Sequence, residues 1–516
     1  MTDIAVNTKR AKKAQAGPYG KVGQALNGLD DRLGVAKGGR TFMDKIFPDH
    51  WSFMLGEIAL YSFVVLLVTG IFLTLYYVPS SSIVTYHGPY LPLDGQKVSE
   101  AYASSINLSF SVRAGLLMRQ MHHWACDIFV GSIVVHMCRV FFTGAFRKPR
   151  ELNWSIGLTL LTLAIVNGFI GYSLPDDLVS GTGIRIAYSI ILSIPVVGTH
   201  LAFWLFGGNF PGTVILGRFY AIHILILPLV ILGLVGAHLG LLVRQKHTQF
   251  PGEGRTEKNV VGSPMFPIFM AKTTGFLFLV GGAIALLGAF AQINPIWQFG
   301  PYDNIAKISY AVQPDWYMGF LDGALRIFPA WSFHSFGYTI PIEVLFPAVI
   351  LPGIVFTLGY LWPNLEARIT KDDEIHNLLD RPRDRPHRTA AGAGILSLLF
   401  MLFIASSTDV IANYMHISLN EVLIAMRVLV LVSPFIGYAV AYYICKELQG
   451  VEKAGKRKTH NIVTRTATGE YVTVAAPMNV NDMHAELHAV PVPNYIEDDA
   501  VAASASSTAG VRTVDR

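Results

Sequence analysis

The sequence predicts an all-α integral membrane protein with eight transmembrane helices, the first four gathered into one bundle. Three observations predict it. Of 516 residues, 52% are hydrophobic and only 15% charged, with a mean hydropathy of +0.43, a composition foreign to soluble domains. Eight apolar stretches approach or exceed the ~20 residues that cross a bilayer core as helix. Two of those stretches carry histidines about four turns apart, at depths where ionisable side chains are costly and face a protein interior.

Taken in order, residues 1–50 are polar and basic, and read as a cytoplasmic tail with a surface helix near Val22 to Leu33. Lys9, Arg10, Lys12 and Lys13 lead into no cleavable apolar core. The first span runs from about Ser52 to Val78, with Trp51, Tyr76 and Tyr77 suited to the interfaces. Within it Gly56 and Gly70 are fourteen residues apart. The segment from Pro79 to Val112 reads as a polar, serine-rich outer loop.

The second span, residues 113–143, carries His122, His123 and His136 together with Arg113, Arg119 and Arg139. Fourteen residues separate His122 from His136, which at about 100° per residue places both rings on nearly one face, about 21 Å apart along the helix. His123 has no such partner, because Met137 occupies the matching position. A short basic connection with Arg147, Lys148 and Arg150 leads to the third span, about Trp154 to Tyr172, in which Gly157 and Gly171 repeat the spacing of fourteen.

A long outer segment, aromatic and glycine-rich around Leu201 to Pro211, precedes the fourth span near Arg218, where His223 and His238 lie fifteen residues apart. That spacing leaves an offset near 60°. A basic loop, RQKHTQFPGEGRTEKN, is followed by spans at about Thr273 to Gln292, Pro341 to Trp362, Ala390 to Ser406 and Glu421 to Cys445. An even number of spans puts both termini on one side, and the cations of the even-numbered connections make that side cytoplasmic. The tail beyond Gly450 reads as a small hairpin around Thr468 to Glu470 and a disordered Ala/Ser/Asp-rich end. The expected organisation is therefore an N-terminal tail (1–50), a four-helix bundle (51–245), a second four-helix membrane region (246–445) and a C-terminal extension (446–516).

Two helices with two histidines each supply two bis-imidazole sites, the ligand set of two b-type haems stacked across a membrane. A lone histidine is more often a hydrogen-bonded core residue, and glycines in spans mostly serve helix packing. The shared spacing of Gly56 with Gly70 and Gly157 with Gly171 instead implies a planar group approaching the backbone at the same two depths. The three cysteines, Cys126, Cys138 and Cys445, form no CxxC or CxxCH, so this chain holds no iron–sulfur cluster and attaches no c-type haem. Nucleic-acid-binding motifs are absent.

Between the fifth and sixth spans the chain reads QPDWYMGFLDGALRIFP. With RQMH and a histidine fourteen residues on, GYSLPD after the third span, and RFYAIH with its second histidine, residues 40 to 445 closely resemble cytochrome b of the quinol–cytochrome c reductase (cytochrome bc) complexes. GYSLPDD, QKHTQFPG, RPRD and the long tail resemble the actinobacterial branch.

The resemblance implies a low-potential haem on His122 and His223 and a high-potential haem on His136 and His238. Arg119 and Arg139 match family arginines that offset propionate charge. It places the outer quinol site at Pro314, Asp315, Trp316 and Tyr317, with Asp315 as proton acceptor. At the inner quinone site Lys272 matches a family lysine, while Thr273 replaces the usual acid and Val243 and Arg244 stand where a histidine is common. Asp315 itself replaces a glutamate, which shortens the reach of the carboxylate.

The implied activity is quinol oxidation at the outer face. One electron passes to a Rieske iron–sulfur subunit and the other through both haems to quinone at the inner face, which contributes to proton motive force. The actinobacterial likeness further implies menaquinol, a diheme cytochrome c partner, a homodimeric complex, association with an aa-type oxidase, and residence in the cell membrane among lipids. A dehydrogenase membrane anchor would need neither PDWY nor the second half of the chain, and a transporter would carry no chromophore. Asp127, Glu57 and His200 have no role assigned by the sequence.

Overall fold

The computed structural model describes residues 39, 42–208, 210, 212–303, 313–335, 337–455, 459–465, 471–477 and 495–497. Eight helices among them are long and apolar enough to cross a membrane: Trp51–Thr74, Gly115–Phe142, Glu151–Tyr172, Ile215–Gln245, Met265–Phe290, Ile342–Thr370, Pro386–Ala405 and Leu419–Val451. These are the eight predicted spans. The sixth and eighth run further than polarity alone indicates, the sixth straight through Pro363. The expected surface helix near Val22 to Leu33 and the chain's last residues lie outside the described residues. Strands Thr459–Arg465 and Tyr471–Pro477 pair antiparallel around the predicted hairpin position.

Contacts divide the chain into two compact units, one of them His50–Glu253 with Phe276–Val490. In this larger unit the first span packs along the second and the third along the fourth. Phe63, Phe129, Val130, Ile133, Leu160 and Ile231 meet in the centre of that bundle. A second core joins Ala324 and Ile327 of helix Gly319–Ile327 to Leu402 and Ala405 of the seventh span and Val430 of the eighth. The short helix lies so close that a side chain at Gly323 would strike the carbonyl of Leu402.

The segment read as loop from Pro79 to Val112 has structure of its own. Strands Ile83–Thr85 and Lys97–Ser99 pair antiparallel, and Ser99 caps helix Glu100–Phe110 by accepting from the Tyr102 amide. The long segment before the fourth span likewise folds into helices Leu178–Leu192 and Gly198–Phe206, the first capped by Asp177.

The fourth span is not a uniform α-helix. Residues Ile222–Ile226 form a π turn, in which the Leu227 amide donates to the carbonyl of Ile222. Pro228 has no N–H to offer the carbonyl one α-turn back, which favours a wider turn there. A π turn accommodates one more residue than an α turn, so fifteen residues between His223 and His238 complete nearly the rotation that fourteen complete in the second span.

The other unit comprises Met1–Asp49, Gly254–Gly275 and Pro491–Arg516. Its described residues include a three-stranded sheet of Ile46–Phe47, Val260–Pro264 and Tyr495–Glu497, all antiparallel. Phe47 stacks on Phe269 with ring centroids 4.3 Å apart.

Candidate functional site

Gly56 and Gly70 of the first span and Gly157 and Gly171 of the third each face one histidine ring. The position of a Cβ on Gly70 lies 3.3 Å from Cε1 of His122, and that on Gly56 lies 3.3 Å from Cε1 of His136. On the third span, Gly171 meets His223 at 2.5 Å and Gly157 meets His238 at 3.7 Å. The spacing of fourteen thus pairs Gly56 and Gly157 with one level of the bundle, Gly70 and Gly171 with the other. As placed, the imidazole is the group each glycine makes room for.

At the level of His122 and His223 the two rings face one another, centroids 6.1 Å apart and planes at 77°. His122 Nδ1 is 2.9 Å from the hydroxyl of Thr69. His223 Nδ1 is 3.0 Å from the carbonyl of Asn167. With the Nδ1 atoms so occupied, each ring has Nε2 left for a ligand, an arrangement that fixes tautomer and orientation. At the other level Nδ1 of His136 is buried without a hydrogen-bond partner among the described residues.

Two part-buried arginines flank these levels. Arg119 donates from Nη1 to the carbonyl of Asn294 at 3.0 Å, and Arg139 lies 4.3 Å over the ring of Phe53. Nε and Nη2 of both are buried with no acceptor among the described residues. Buried guanidinium N–H groups are costly to leave unsatisfied, so each site fits an anionic group from outside the chain.

The PDWY segment packs against the second and third spans near the His122 level. Trp316–Met318 form a single 3-10 turn leading into helix Gly319–Ile327. Tyr317 enters the bundle core through a gap at Gly168, where a Cβ would lie 2.6 Å from its hydroxyl. That hydroxyl donates to Asp315 Oδ2 at 2.8 Å. Burial, with Cys126 and Asp315 nearby, holds the phenol well above its ordinary range, so Tyr317 is a neutral donor. The other carboxylate oxygen, Oδ1, lies 2.9 Å from His123 Nε2.

His122, His223, Arg119, His123, Asp315 and Tyr317 all line one cavity of about 420 Å3, a size usual for small-molecule sites. A bis-imidazole pair at one end, an unsatisfied guanidinium beside it and a hydrogen-bonding carboxylate at the other can hold a flat metal complex next to a protic substrate. The donor set, the glycine cradle and the orphaned arginine nitrogens fit a haem at this level. At the other level the glycines, Arg139, His136 and His238 repeat the set.

His123 is the cavity-lining residue that spacing passed over. Its partner lies 192 residues away, and the available signal was Asp127, one turn along the same face of an apolar span. Of the predicted inner-site residues, Arg244 is exposed at the end of the fourth span. Lys272 belongs to the other unit, where its ammonium is 2.9 Å from Asp49 Oδ1. Ser263 donates to the same carboxylate. An acid is therefore present beside Lys272, contributed by Asp49 instead of the neighbour at 273.

A family model described as "Cytochrome b(N-terminal)/b6/petB" matches residues 127–301. A cytochrome bc1 complex cytochrome b subunit of Streptomyces coelicolor is 48% identical over 88% of this chain and 84% of its own. Its counterpart in Corynebacterium diphtheriae is 47% identical over 92% and 87%, and that of Mycobacterium tuberculosis 48% over 90% and 84%. Among solved structures, a chain of a "Hyperthermophilic respiratory Complex III" aligns with a TM-score of 0.59 at 20% identity, covering 81% of this chain and 99% of that one. That alignment supports the fold alone.

Proposed function

Because the chain belongs to the cytochrome b subunits of cytochrome bc1 complexes, we propose that it is the di-haem, quinol-oxidising membrane subunit of a respiratory quinol–cytochrome c reductase. One observation carries the reading: the facing pair His122 and His223 shares a cavity with Asp315 and Tyr317. The resemblance to the actinobacterial branch favours menaquinol as substrate.

In this reading His122 with His223, and His136 with His238, hold two b haems. Gly56, Gly70, Gly157 and Gly171 leave space for the rings, and Arg119 and Arg139 neutralise propionates. The haems, when bound, supply one-electron redox steps at two depths of the membrane. Asp315 binds a quinol hydroxyl and accepts its proton. Tyr317 holds the carboxylate from the other side, and Pro314 and Trp316 shape the wall. The family resemblance assigns quinone reduction to Arg244 of the larger unit and, in the other unit, to Lys272 with Asp49 beside it.

The remaining parts of the reading are supported by the family resemblance. They are a Rieske iron–sulfur subunit and a cytochrome c subunit as partners, a homodimeric complex, contact with an aa-type oxidase, and a cell membrane with both chain termini on the cytoplasmic side. Charge moved against the membrane potential stores about 2.3 kcal/mol per charge per 100 mV.

A reduced-minus-oxidised spectrum of the purified complex is expected to show two b-type components. Their absence sinks the haem assignment. Asp315→Asn is expected to keep both components while slowing quinol oxidation at least ten-fold, the loss that typically follows removal of a general base. Full turnover in that variant would remove Asp315 from the mechanism.

A further inference from the structure

His123, Asp127 and Gly131 follow one another at intervals of four along the second span, so they form one stripe on its surface. Asp315 and Trp316 lie on that stripe. His123 Nε2 is 2.9 Å from Asp315 Oδ1, the Trp316 side chain lies beside Asp127, and a Cβ on Gly131 would lie 3.5 Å from the Trp316 ring. Reactive atoms of His123, Asp127 and Asp315 all fall within 4.8 Å of one another.

The side chains of His123 and Asp315 are only 12% and 16% exposed, so their hydrogen bond is shielded from water. Asp315 is thereby held by both oxygens, Oδ2 by Tyr317 and Oδ1 by His123. An aspartate is one methylene shorter than glutamate and cannot reach as far from its backbone. A donor brought toward it by the helix makes up that difference. With the carboxylate ionised, the imidazole N–H is the donor and the carboxylate the acceptor.

We propose that His123 is a positioning residue for quinol oxidation: it fixes the Asp315 carboxylate at the mouth of the cavity, and the His123–Asp127–Gly131 stripe is the seat on which PDWY is registered. The inference rests on the assignment of Asp315 to quinol oxidation. His123 acts through Asp315.

A double-substitution cycle in the purified whole complex tests it. His123→Ala is expected to lower kcat at least ten-fold with less than a two-fold change in KM and with both b-type components retained. His123→Gln, whose amide still donates, is expected to recover part of that loss. In an Asp315→Asn background the further change His123→Ala is expected to cost less than two-fold, because the interaction has already been weakened. Multiplicative losses, or an unchanged kcat in His123→Ala, would overturn the proposal while leaving Asp315 in place. Full turnover in Asp315→Asn alone would instead remove the premise. Loss of the chromophore in both His123 variants would make the residue structural and also overturn the assignment.

Discussion

Substituting Gly171 by alanine separates a glycine that the site requires from one that it merely contains. A Cβ there would lie 2.5 Å from Cε1 of His223 and 3.0 Å from Nε2. Ordinary contact begins near 3.4 Å, so the ring must retreat by about 0.9 Å. The retreat is opposed by the 3.0 Å contact between His223 Nδ1 and the Asn167 carbonyl, one turn before Gly171 on the same span. Overpacking costs about 1–3 kcal/mol, and the strained hydrogen bond adds about 1 kcal/mol. Together these correspond to roughly 30- to 700-fold in haem affinity at 1.4 kcal/mol per tenfold. Gly157→Ala makes a fair control, because its Cβ would lie 3.7 Å from His238. Haem content per polypeptide and redox titration of the purified complex should show one b-type component lost or weakened in Gly171→Ala and neither in Gly157→Ala. Two intact components in Gly171→Ala, or the opposite order, would refute the geometry.

Three further outcomes follow. Deleting Leu225 shortens the fourth-span spacing to fourteen and turns Ile222–Ile226 into an ordinary α turn, so haem content should be kept; inserting one alanine after Leu225 should lose the haem at His238. Arg119→Gln removes a part-buried cation beside the His122 level and should lower the midpoint potential of that component alone, by roughly 50 mV, near one tenfold step of a one-electron equilibrium, as read by redox titration. Burial pushes the Asp176 carboxyl up to about 6 from its ordinary 3.8. The folded state therefore binds the proton more tightly than the unfolded one, and stability falls as pH rises from about 4 through 6. Asp176 has a positive φ of 55° that asparagine tolerates. Asp176→Asn should accordingly raise thermal stability at pH 7.5, by at most about 3 kcal/mol, and leave it unchanged near pH 4.

Hydropathy made the spans legible because lipid leaves the backbone no alternative to helix. The four histidines and four glycines were legible because both recur at helical spacing, so the partners could be matched by level before any contact was known. What escaped the sequence depends on contacts distant along the chain. His123 was set aside because its neighbours at helical spacing offered no partner, whereas Asp315 reaches it from between the fifth and sixth spans. A uniform helix puts His238 at an offset near 60°; Pro228 is the sign in the sequence that this span is not uniform. Helix Glu100–Phe110 was read as loop because its serines look polar, yet Ser105 and Ser109 each donate to a carbonyl four residues back. The acid beside Lys272 was sought at position 273, and the fold supplies it from Asp49.

The pairing of glycines with rings has a consequence for how such a bundle can be made. Gly56 and Gly70 serve His136 and His122 of the helix that follows them, and Gly157 and Gly171 serve His238 and His223 of theirs. The bundle is thus one antiparallel hairpin used twice, its first helix grooved and its second bearing the ligands. Either hairpin alone holds half of each coordination sphere. A single hairpin that self-associates about a two-fold axis would present both spheres complete, from a little under 100 residues of sequence per copy. In the proposed function the two-level electron path is then a property of a repeated unit, and only the segment carrying Asp315 and Tyr317 gives it a direction.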